Sequence, residues 1–474
     1  MDNVRLQTLS GAHALVDGTE VEALRAALRG GLLLPGDPGY DAARSIWNAM
    51  IDRKPAMIVQ ALGAVDVKAA VDFARKHEAV LAVRGGGHNI AGNAVCDGGV
   101  MIDLSRMRSV RVDPESRRVR VEGGALLSDL DKETQAFGLV VPIGINSTTG
   151  IAGLTLGGGF GWTSRTFGLT IDNLLSVDIV TADGELRRAD GRQNPDLFWA
   201  VRGGGGNFGV VTSFEFGLHP LGPMVVAGLL LHPIAEAPAL MREYRRLAAE
   251  APDELSAWLV LRKAPPAPFV PAEWHGKEVI IIALCHTGTL TAGEKDALPF
   301  RKLGKPIVDL VGPHPFTGWQ AAFDPLLTPG ARNYWKSHDF KELSDGACDA
   351  LLDAAKRLPT DECELFVGQL GGRVNRIAPE ATAYPRRDVR FIVNMHTRWR
   401  DPAQDETCIG WARGLFKALA PHALGSVYVN FMPSDEKDRI HGAFGSNYER
   451  LAEVKRRYDP INLFRLNQNI SQTG

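Results

Sequence analysis

The spacing of apolar residues changes repeatedly over the first 220 residues, between a helical period and short continuous runs. Residues 66–77 place four apolar side chains on one helical face, namely Val67, Ala70, Val71 and Ala74. The run at 81–83 is short enough for a buried strand and leads directly into Arg84. A helix is predicted at 126–137, where Gly138 ends it. Further strands are predicted at residues 100–104, 110–112, 118–121, 177–181 and 209–216.

The pattern changes after about residue 220, which predicts a second domain over residues 221–434. Glycine becomes less frequent, and a long helical pattern covers residues 237–249. Apolar strands are predicted at 279–284 and 389–399. These elements predict a sheet with helices on one side. A last helix is predicted at 448–457, within a C-terminal segment that we place at 435–474.

Composition and charge exclude several classes of protein. The chain has 474 residues, of which 45% are hydrophobic and 23% charged, as in ordinary globular proteins. Its net charge of -2 argues against nucleic acid or an anionic membrane as the main partner. No apolar run approaches the length of a membrane span, and the first twenty residues do not resemble a secretory signal. We therefore expect a cytoplasmic protein.

Cysteine usage argues against a disulfide framework and against a metal site. The five cysteines are widely scattered and include no CxxC pair. With an odd number of thiols and no ligand spacing, neither a zinc site nor any other metal site is predicted.

Three glycine clusters are the most unusual feature of the first domain. They lie at residues 84–88, 157–161 and 203–209. Consecutive glycines cost conformational entropy, so the alternatives are tight turns or close approach of the backbone to a ligand. Gly204, Gly206 and Gly209 match the dinucleotide fingerprint G-x-G-x-x-G, which requires a following helix. The β-branched residues at 210–216 predict a strand instead, so a doubly wound nicotinamide fold is disfavoured.

Read together in order, the motifs resemble one family of flavoproteins. They include R-G-G-G-H-N at 84–89, G-I-A-G-L-T-L-G-G-G-F-G-W at 150–162, L-F-W-A-V-R-G-G-G-G-N-F-G at 197–209 and the segment 458–470. The chain resembles the berberine bridge enzyme-like group of the vanillyl-alcohol oxidase and p-cresol methylhydroxylase superfamily. The resemblance implies an α+β fold with a two-part FAD-binding domain of the p-cresol methylhydroxylase type, formed by residues 1–220 and 435–474. It also implies a substrate domain with an antiparallel sheet covered by helices.

The resemblance further implies FAD bonded covalently to His88. Many relatives add a second bond from a cysteine, but the corresponding position here is Asn146, so a single link is expected. Cys96 lies in the other loop, and we interpret it as a small buried hydrophobic residue. The remaining residues expected to bind the cofactor are Arg84, Gly85, Gly86, Gly87, Asn89, Thr148, Thr149, Gly150, Gly153, Gly157, Gly158, Val211, Tyr458, Asn467 and Asn469.

Thr149 bears on the electron acceptor. In the family, the residue before Gly150 lies over the flavin, where oxygen must reach it. Threonine is small, which favours an oxidase that passes electrons to oxygen and gives hydrogen peroxide. The expected substrate is a small alcohol, sugar or amine. The alternatives are a dehydrogenase with another electron acceptor and a flavin-binding protein that has lost catalysis.

The strand at 389–399 supplies two of the three candidate catalytic residues. Its two-residue period gives a core face, with Phe391, Val393, Met395, Thr397 and Trp399. The opposite face carries Arg390, Ile392, Asn394, His396 and Arg398. Asn394 occupies a position where relatives have an acidic or amide residue, and it suits orientation of a substrate. His396 is either catalytic or an ordinary solvated histidine.

Tyr428 is the candidate base, within a Y-x-N-F stretch that resembles the family's active site. A phenol with a pKa of about 10 needs a nearby cation or the flavin to stabilise its anion. The alternative is a tyrosine that packs between domains. The candidate substrate contacts are Tyr334, Trp335, Gln369 and Asn375.

Overall fold

The computed structural model describes residues 3–471 and shows the predicted mixture of short strands and helices up to residue 220. The strands are β1 (Val4–Gln7), β2 (His13–Val16), β3 (Gly31–Leu33), β4 (Met57–Gln60), β5 (Leu81–Arg84), β6 (Val100–Asp103), β7 (Val110–Asp113), β8 (Arg118–Glu122), β9 (Leu139–Val140), β10 (Leu174–Val180), β11 (Leu186–Asp190), β12 (Val210–Gly217) and β13 (His219–Pro220). The helices are α1 (Gly18–Ala27), α2 (Tyr40–Arg44), α3 (Ala64–Lys76), α4 (Leu127–Gln135), α5 (Ile151–Leu156), α6 (Ser164–Phe167) and α7 (Pro195–Val201).

These elements form two main sheets. One has the strand order β3-β4-β6-β5, in which β4, β6 and β5 are parallel, and the other has the order β11-β10-β12-β8-β7 and is antiparallel. The four apolar residues predicted on one face of α3 are all fully buried, which fixes this helix against the sheets. The strand β12 directly follows Gly209, and α7 precedes the third glycine cluster. As predicted, a strand follows this cluster where a dinucleotide fingerprint requires a helix.

A larger antiparallel sheet follows. Its strands are β14 (Met224–Pro233), β15 (Leu255–Lys263), β16 (Glu278–His286), β17 (Val308–Asp309), β18 (Gly312–Pro315), β19 (Arg332–Phe340), β20 (Glu364–Gln369) and β21 (Phe391–Trp399). They run in the order β17-β14-β16-β15-β20-β21-β19, and β18 pairs with β14. The helices are α8 (Ala237–Glu250), α9 (Leu290–Arg301), α10 (Phe316–Gln320), α11 (Asp345–Ala355), α12 (Arg373–Arg376) and α13 (Asp405–Leu419).

Alternation along the strands gives this sheet two buried faces. On β21, Phe391, Val393 and Met395 join the core under α8, α11 and α13. The opposite face, which carries Ile392, packs toward the glycine-rich loops and includes Trp258. The predicted division of β21 into a core face and a polar face is confirmed, and the predicted α+β fold class is confirmed with it.

The C-terminal segment packs against the first domain. It contains α14 (Ile440–Phe444) and α15 (Tyr448–Tyr458), after which Leu463 and Phe464 enter the core beside α3. The ammonium of Lys455, on α15, is fully buried and donates to Asn207 O at 2.7 Å and to Phe464 O at 3.0 Å. The lysine thus ties this segment to the third glycine cluster. The exact domain boundaries at 220 and 434 stay predictions.

Within residues 3–471, no helix combines the length and the apolar character that crossing a membrane requires.

Candidate active site

A cavity lies between the glycine-rich loops of the first domain and the polar face of the large sheet. The first domain and the C-terminal segment contribute Gly85, Gly86, Gly87, His88, Asn89, Thr149, Gly150, Gly153, Gly204, Gly205, Gly206, Val211 and Asn467. The sheet and the segment after it contribute Trp258, Trp335, Glu364, Phe366, Asn394, His396, Tyr428, Asn430 and Phe431. The cavity therefore brings together residues that are far apart in the chain.

Close packing of two loops positions His88. The loop after β5 is held by an ion pair between Arg84 Nη2 and Asp103 Oδ2 at 2.5 Å. Gly86 lies directly against Gly150, at the start of α5, so closely that a Cβ on Gly86 would be 2.2 Å from Gly150 N. Glycine is required here because two backbones meet. This contact brings His88 beside Thr148 and Thr149.

The hydrogen bonds of His88 define its tautomer. Thr148 Oγ1 donates to Asn146 Oδ1 at 2.9 Å, so the same oxygen accepts from His88 Nε2, also at 2.9 Å. The lone pair therefore resides on Nδ1. The ring stacks on Trp47 with centroids 5.0 Å apart, and burial lowers the pKa of His88 to about 3. His88 is thus a neutral imidazole, and its Nδ1 lone pair has only a long contact of 3.5 Å, to Thr149 Oγ1.

The first-domain side of the cavity fits a flavin nucleotide. Gly153 and Gly206 line it, and a Cβ on either residue would meet no protein atom within 4 Å. The space in front of these glycines is thus left open by the protein. Asn467 lines the cavity as well, and its buried Oδ1 has no hydrogen-bond partner among the described residues. A polar cofactor with a phosphate-containing tail would fit the space beside the glycine backbone and could donate a hydrogen bond to Asn467.

On the opposite side, a row of four side chains crosses the sheet. The strand register places Arg262 opposite Glu364, Glu364 opposite His396, and His396 opposite Trp335. Arg262 Nη1 donates to Glu364 Oε2 at 2.7 Å, and Glu364 Oε1 lies 3.2 Å from His396 Nδ1. The edge of Trp335 packs on His396 with ring centroids 4.5 Å apart. His396 is only 5% exposed, so the interpretation of it as a solvated strand histidine is wrong.

Tyr428 reaches the cavity from the segment that follows α13. Its hydroxyl oxygen accepts from Gly159 N at 3.0 Å and from Asn430 Nδ2 at 3.0 Å. Burial raises the pKa of Tyr428 to about 12, and it outweighs these two donors, which act in the opposite direction. The groups bonded to the hydroxyl among the described residues are thus neutral donors, and neither is a cation that would stabilise a phenolate.

Comparison with known proteins identifies the family. The FAD binding domain family matches residues 55–190, and the family described as berberine and berberine like matches residues 427–471. An FAD-linked oxidoreductase of Dictyostelium discoideum is 31% identical over 90% of this chain and 90% of its own length. The chain belongs to the berberine bridge enzyme-like FAD-linked oxidoreductases.

Other relatives agree with this assignment. The (R)-6-hydroxynicotine oxidase of Paenarthrobacter nicotinovorans is 29% identical over 94% of this chain and 98% of its own length. A crystal structure of 6-hydroxy-D-nicotine oxidase from Arthrobacter nicotinovorans superimposes with a TM-score of 0.84 at 28% identity, covering 94% of this chain and 98% of that one. The berberine bridge enzyme-like chain described here is therefore an FAD-dependent oxidoreductase.

Five predicted cofactor residues of this berberine bridge enzyme-like protein lie behind the cavity wall rather than on it. Arg84 braces the His88 loop, and Thr148 sets the tautomer of His88. Glycine at 157 and 158 makes room for neighbours, since a Cβ on Gly157 would be 2.1 Å from Asn430 Oδ1. Tyr458 donates its hydroxyl to Asp196 at 3.0 Å. A sixth residue, Asn469, is not among the lining residues, although its Oδ1 is buried without a partner among those described.

Three of the four predicted substrate contacts do not line the cavity. Tyr334 faces away from it because it neighbours Trp335 on β19, and its hydroxyl donates to Asp435 at 2.8 Å. Gln369 bonds to two backbone groups, accepting from Ala257 N and donating to Ala248 O. Asn375 donates to the carbonyl oxygens of Arg387 and Val389. Only Trp335 is placed where the sequence predicts.

Three aromatic residues beside Trp335 (Trp258, Phe366 and Phe431) and the carboxylate of Glu364 were not predicted. Trp258 packs edge to face against Phe366 with centroids 5.1 Å apart and against Phe160 at 6.0 Å. Phe431 lies 5.5 Å from Trp335 in the same geometry. Alternation along β15 and β20 could have indicated Trp258 and Phe366. The partners of Glu364 can be identified only once the strand register is known.

Proposed function

We propose that this protein is an oxidase that takes a hydride from a C–H bond of a small alcohol, sugar or amine onto FAD held covalently by His88. The electrons then pass to oxygen, which gives hydrogen peroxide. One observation carries the proposal. His88 and the three candidate catalytic residues Tyr428, Asn394 and His396 line the same cavity from opposite sides.

The loops of the first domain are the part that would hold FAD. His88 offers a neutral ring whose Nδ1 lone pair is not used by Thr148, and Asn146 cannot form the second link that a cysteine would. The glycine backbone at 85–87, 150, 153 and 204–206 lines the same side of the cavity. Bound FAD supplies the two-electron acceptor of the reaction.

The large sheet would bind and orient the substrate. Trp258, Trp335 and Phe366 form an apolar wall that excludes water. Asn394 is 3% exposed, and its Oδ1 has no partner among the described residues. An amide in this state is suited to accept a hydrogen bond from a substrate. Tyr428, which is protonated at neutral pH, is suited to donate one.

Two features support oxygen as the acceptor. Thr149 lines the cavity next to Gly150 and is small, so it leaves space for a diatomic molecule. A relative at 29% identity over nearly the whole chain is named an oxidase.

The test is anaerobic reduction of the yellow holoenzyme by a panel of primary and secondary alcohols, sugars and cyclic amines. At least one member is expected to bleach the visible flavin absorbance. Admitting air is then expected to restore the colour, with hydrogen peroxide formed in proportion to the substrate consumed.

Two other outcomes would change the assignment. Flavin that stays reduced in air but is reoxidised by an artificial dye would identify a dehydrogenase. If dithionite reduces the flavin and no substrate in a broad panel does, the protein would be a flavin-binding protein without this activity.

A further inference from the structure

The row formed by Arg262, Glu364, His396 and Trp335 has the chemistry of a proton acceptor. His396 lines the cavity, and its buried Nε2 has no hydrogen-bond partner among the described residues. An unpartnered buried ring nitrogen costs free energy, so its presence at a cavity wall indicates a ligand that bonds to it. The other ring nitrogen, Nδ1, is engaged by Glu364.

The charge of Glu364 determines which ring nitrogen carries the proton. Burial acts to raise the pKa of Glu364, but Arg262 and His396 outweigh it and bring the pKa to about 2. Glu364 is therefore an anion that can only accept a hydrogen bond, and Nδ1 must donate to it. When the ring is neutral, Nε2 consequently presents its lone pair to the cavity. The same order of carboxylate, imidazole and hydroxyl operates in the Ser-His-Asp triad, where the hydroxyl belongs to the enzyme's own serine.

We propose that His396 Nε2 is the base that takes the hydroxyl proton of an alcohol substrate, and that Glu364 is the residue that positions it. This inference rests on the proposed oxidase function. The alcohol gives its O–H proton to Nε2, and FAD held by the first-domain loops would supply the acceptor for its C–H hydride, so that the product would be an aldehyde or ketone. The imidazolium formed at His396 lies against the Glu364 carboxylate, which stabilises it, and later releases the proton to solvent.

The surroundings favour an alcohol over a protonated amine. Glu364 is the only carboxylate among the described residues that line the cavity, and Arg262 already pairs with it. A substrate ammonium would thus find aromatic rings and the Asn394 amide, and no unpaired carboxylate among these lining residues. Two further charged groups belong to this region, namely Arg398, on the same strand as His396, and Glu362, which pairs with Arg398.

Tyr428 is the rival base, and its contacts make it a donor. Its hydroxyl oxygen already accepts two hydrogen bonds, from Gly159 and Asn430, so the hydroxyl proton is the part left for the substrate. His396 and Tyr428 thus offer an acceptor and a donor to one substrate hydroxyl.

A phenol whose colour reports its ionisation tests the base without turnover. The probe is 4-nitrophenol, added to the holoenzyme and followed as a difference spectrum against the holoenzyme alone. The wild type is expected to bind it partly as the yellow phenolate at a pH where the free phenol is neutral. His396→Gln is expected to bind it without the phenolate band, and Glu364→Gln to give a weaker band at the same pH. Tyr428→Phe is expected to keep the band.

The matched control is Asp361→Asn, which removes an exposed carboxylate that pairs with Lys263, next to Arg262, and does not line the cavity. It is expected to behave as the wild type. Flavin content and circular dichroism of each variant show whether it folds. A wild type that binds the phenol only in its neutral form would overturn the proposal, as would a phenolate band that survives in His396→Gln and disappears in Tyr428→Phe.

Kinetics with an alcohol that reduces the flavin separates this inference from the proposed function. If no alcohol reduces the wild-type flavin, the oxidase function fails for alcohols in the wild type itself. If one does, His396→Gln is expected to lower kcat by about 10²–10⁴-fold, the usual contribution of a general base. Glu364→Gln is expected to move the acid limb of the kcat/KM profile to lower pH, because the imidazolium loses its anionic neighbour. An unchanged acid limb would remove Glu364 from the proposal.

Discussion

Protein that carries Gly86→Ala is expected to accumulate without bound flavin. The added Cβ would lie 2.2 Å from Gly150 N and 2.6 Å from Gly150 Cα, and both are backbone atoms that no rotamer change can move aside. The reciprocal contact is as tight, since a Cβ on Gly150 would be 2.3 Å from Gly86 N. Relieving this clash requires the two loops to separate, which costs about 1–3 kcal/mol or more of folding free energy. His88 would then move away from Thr148 and Thr149.

The measurement for Gly86→Ala is the ratio of flavin absorbance to protein absorbance after purification. The matched control is Gly191→Ala, where an added Cβ meets no atom within 4 Å and φ is not positive. The control is expected to retain a full complement of flavin, while Gly86→Ala is expected to lose nearly all of it. Equal flavin content in the two variants would show that close packing of these loops is not what forms the cofactor site.

Lys455→Met is expected to destabilise the fold strongly, although Lys455 lies outside the cavity. Lys455 and Asp459 are fully buried and lie 2.6 Å apart, and the ammonium also donates to Asn207 O and Phe464 O. Methionine has a similar size but no donor, so the Asp459 charge and two backbone oxygens lose their bonds to the ammonium. Breaking one partner of a buried pair costs about 3–5 kcal/mol.

Urea denaturation followed by circular dichroism measures the Lys455→Met effect. The control is Arg456→Met, an exposed cation on the same helix, which is expected to change the free energy of unfolding by less than about 0.5 kcal/mol. Because Asn207 also lines the cavity, we expect Lys455→Met to release its flavin at a lower urea concentration than the control does. A loss no larger than that of Arg456→Met would mean that the C-terminal segment is held by its apolar side chains alone.

Local patterns predicted the elements of this fold because they depend on neighbours in the chain. The apolar face of α3 and the two faces of β21 follow from periods of 3.6 and 2 residues, and both are observed. The rejection of a dinucleotide fold followed from the β-branched residues after Gly209, which form β12. The motif at 84–89 located His88, which lines the cavity.

Contacts between distant strands could not be predicted in this way. Arg262, Glu364 and His396 are separated by 102 and 32 residues, and a shift of one residue in register would turn Glu364 away from His396. Gln369 and Asn375 are predicted substrate contacts, yet backbone groups of α8, β15 and the segment before β21 use their amides. The error at Tyr334 could have been avoided from the sequence. Tyr334 and Trp335 are neighbours on one strand, so their side chains point to opposite faces and only one of them can line the cavity.

The central claim, that His88 carries FAD covalently in this oxidoreductase, is tested most directly by acid precipitation. The wild-type protein and a His88→Ala variant are precipitated in acid and washed, and the absorbance of each pellet and each supernatant is recorded. We predict that the yellow colour stays with the wild-type pellet and that the His88→Ala pellet is colourless. Colour that washes out of the wild-type pellet would contradict the covalent link, and a wild-type protein that never binds FAD would contradict the whole account.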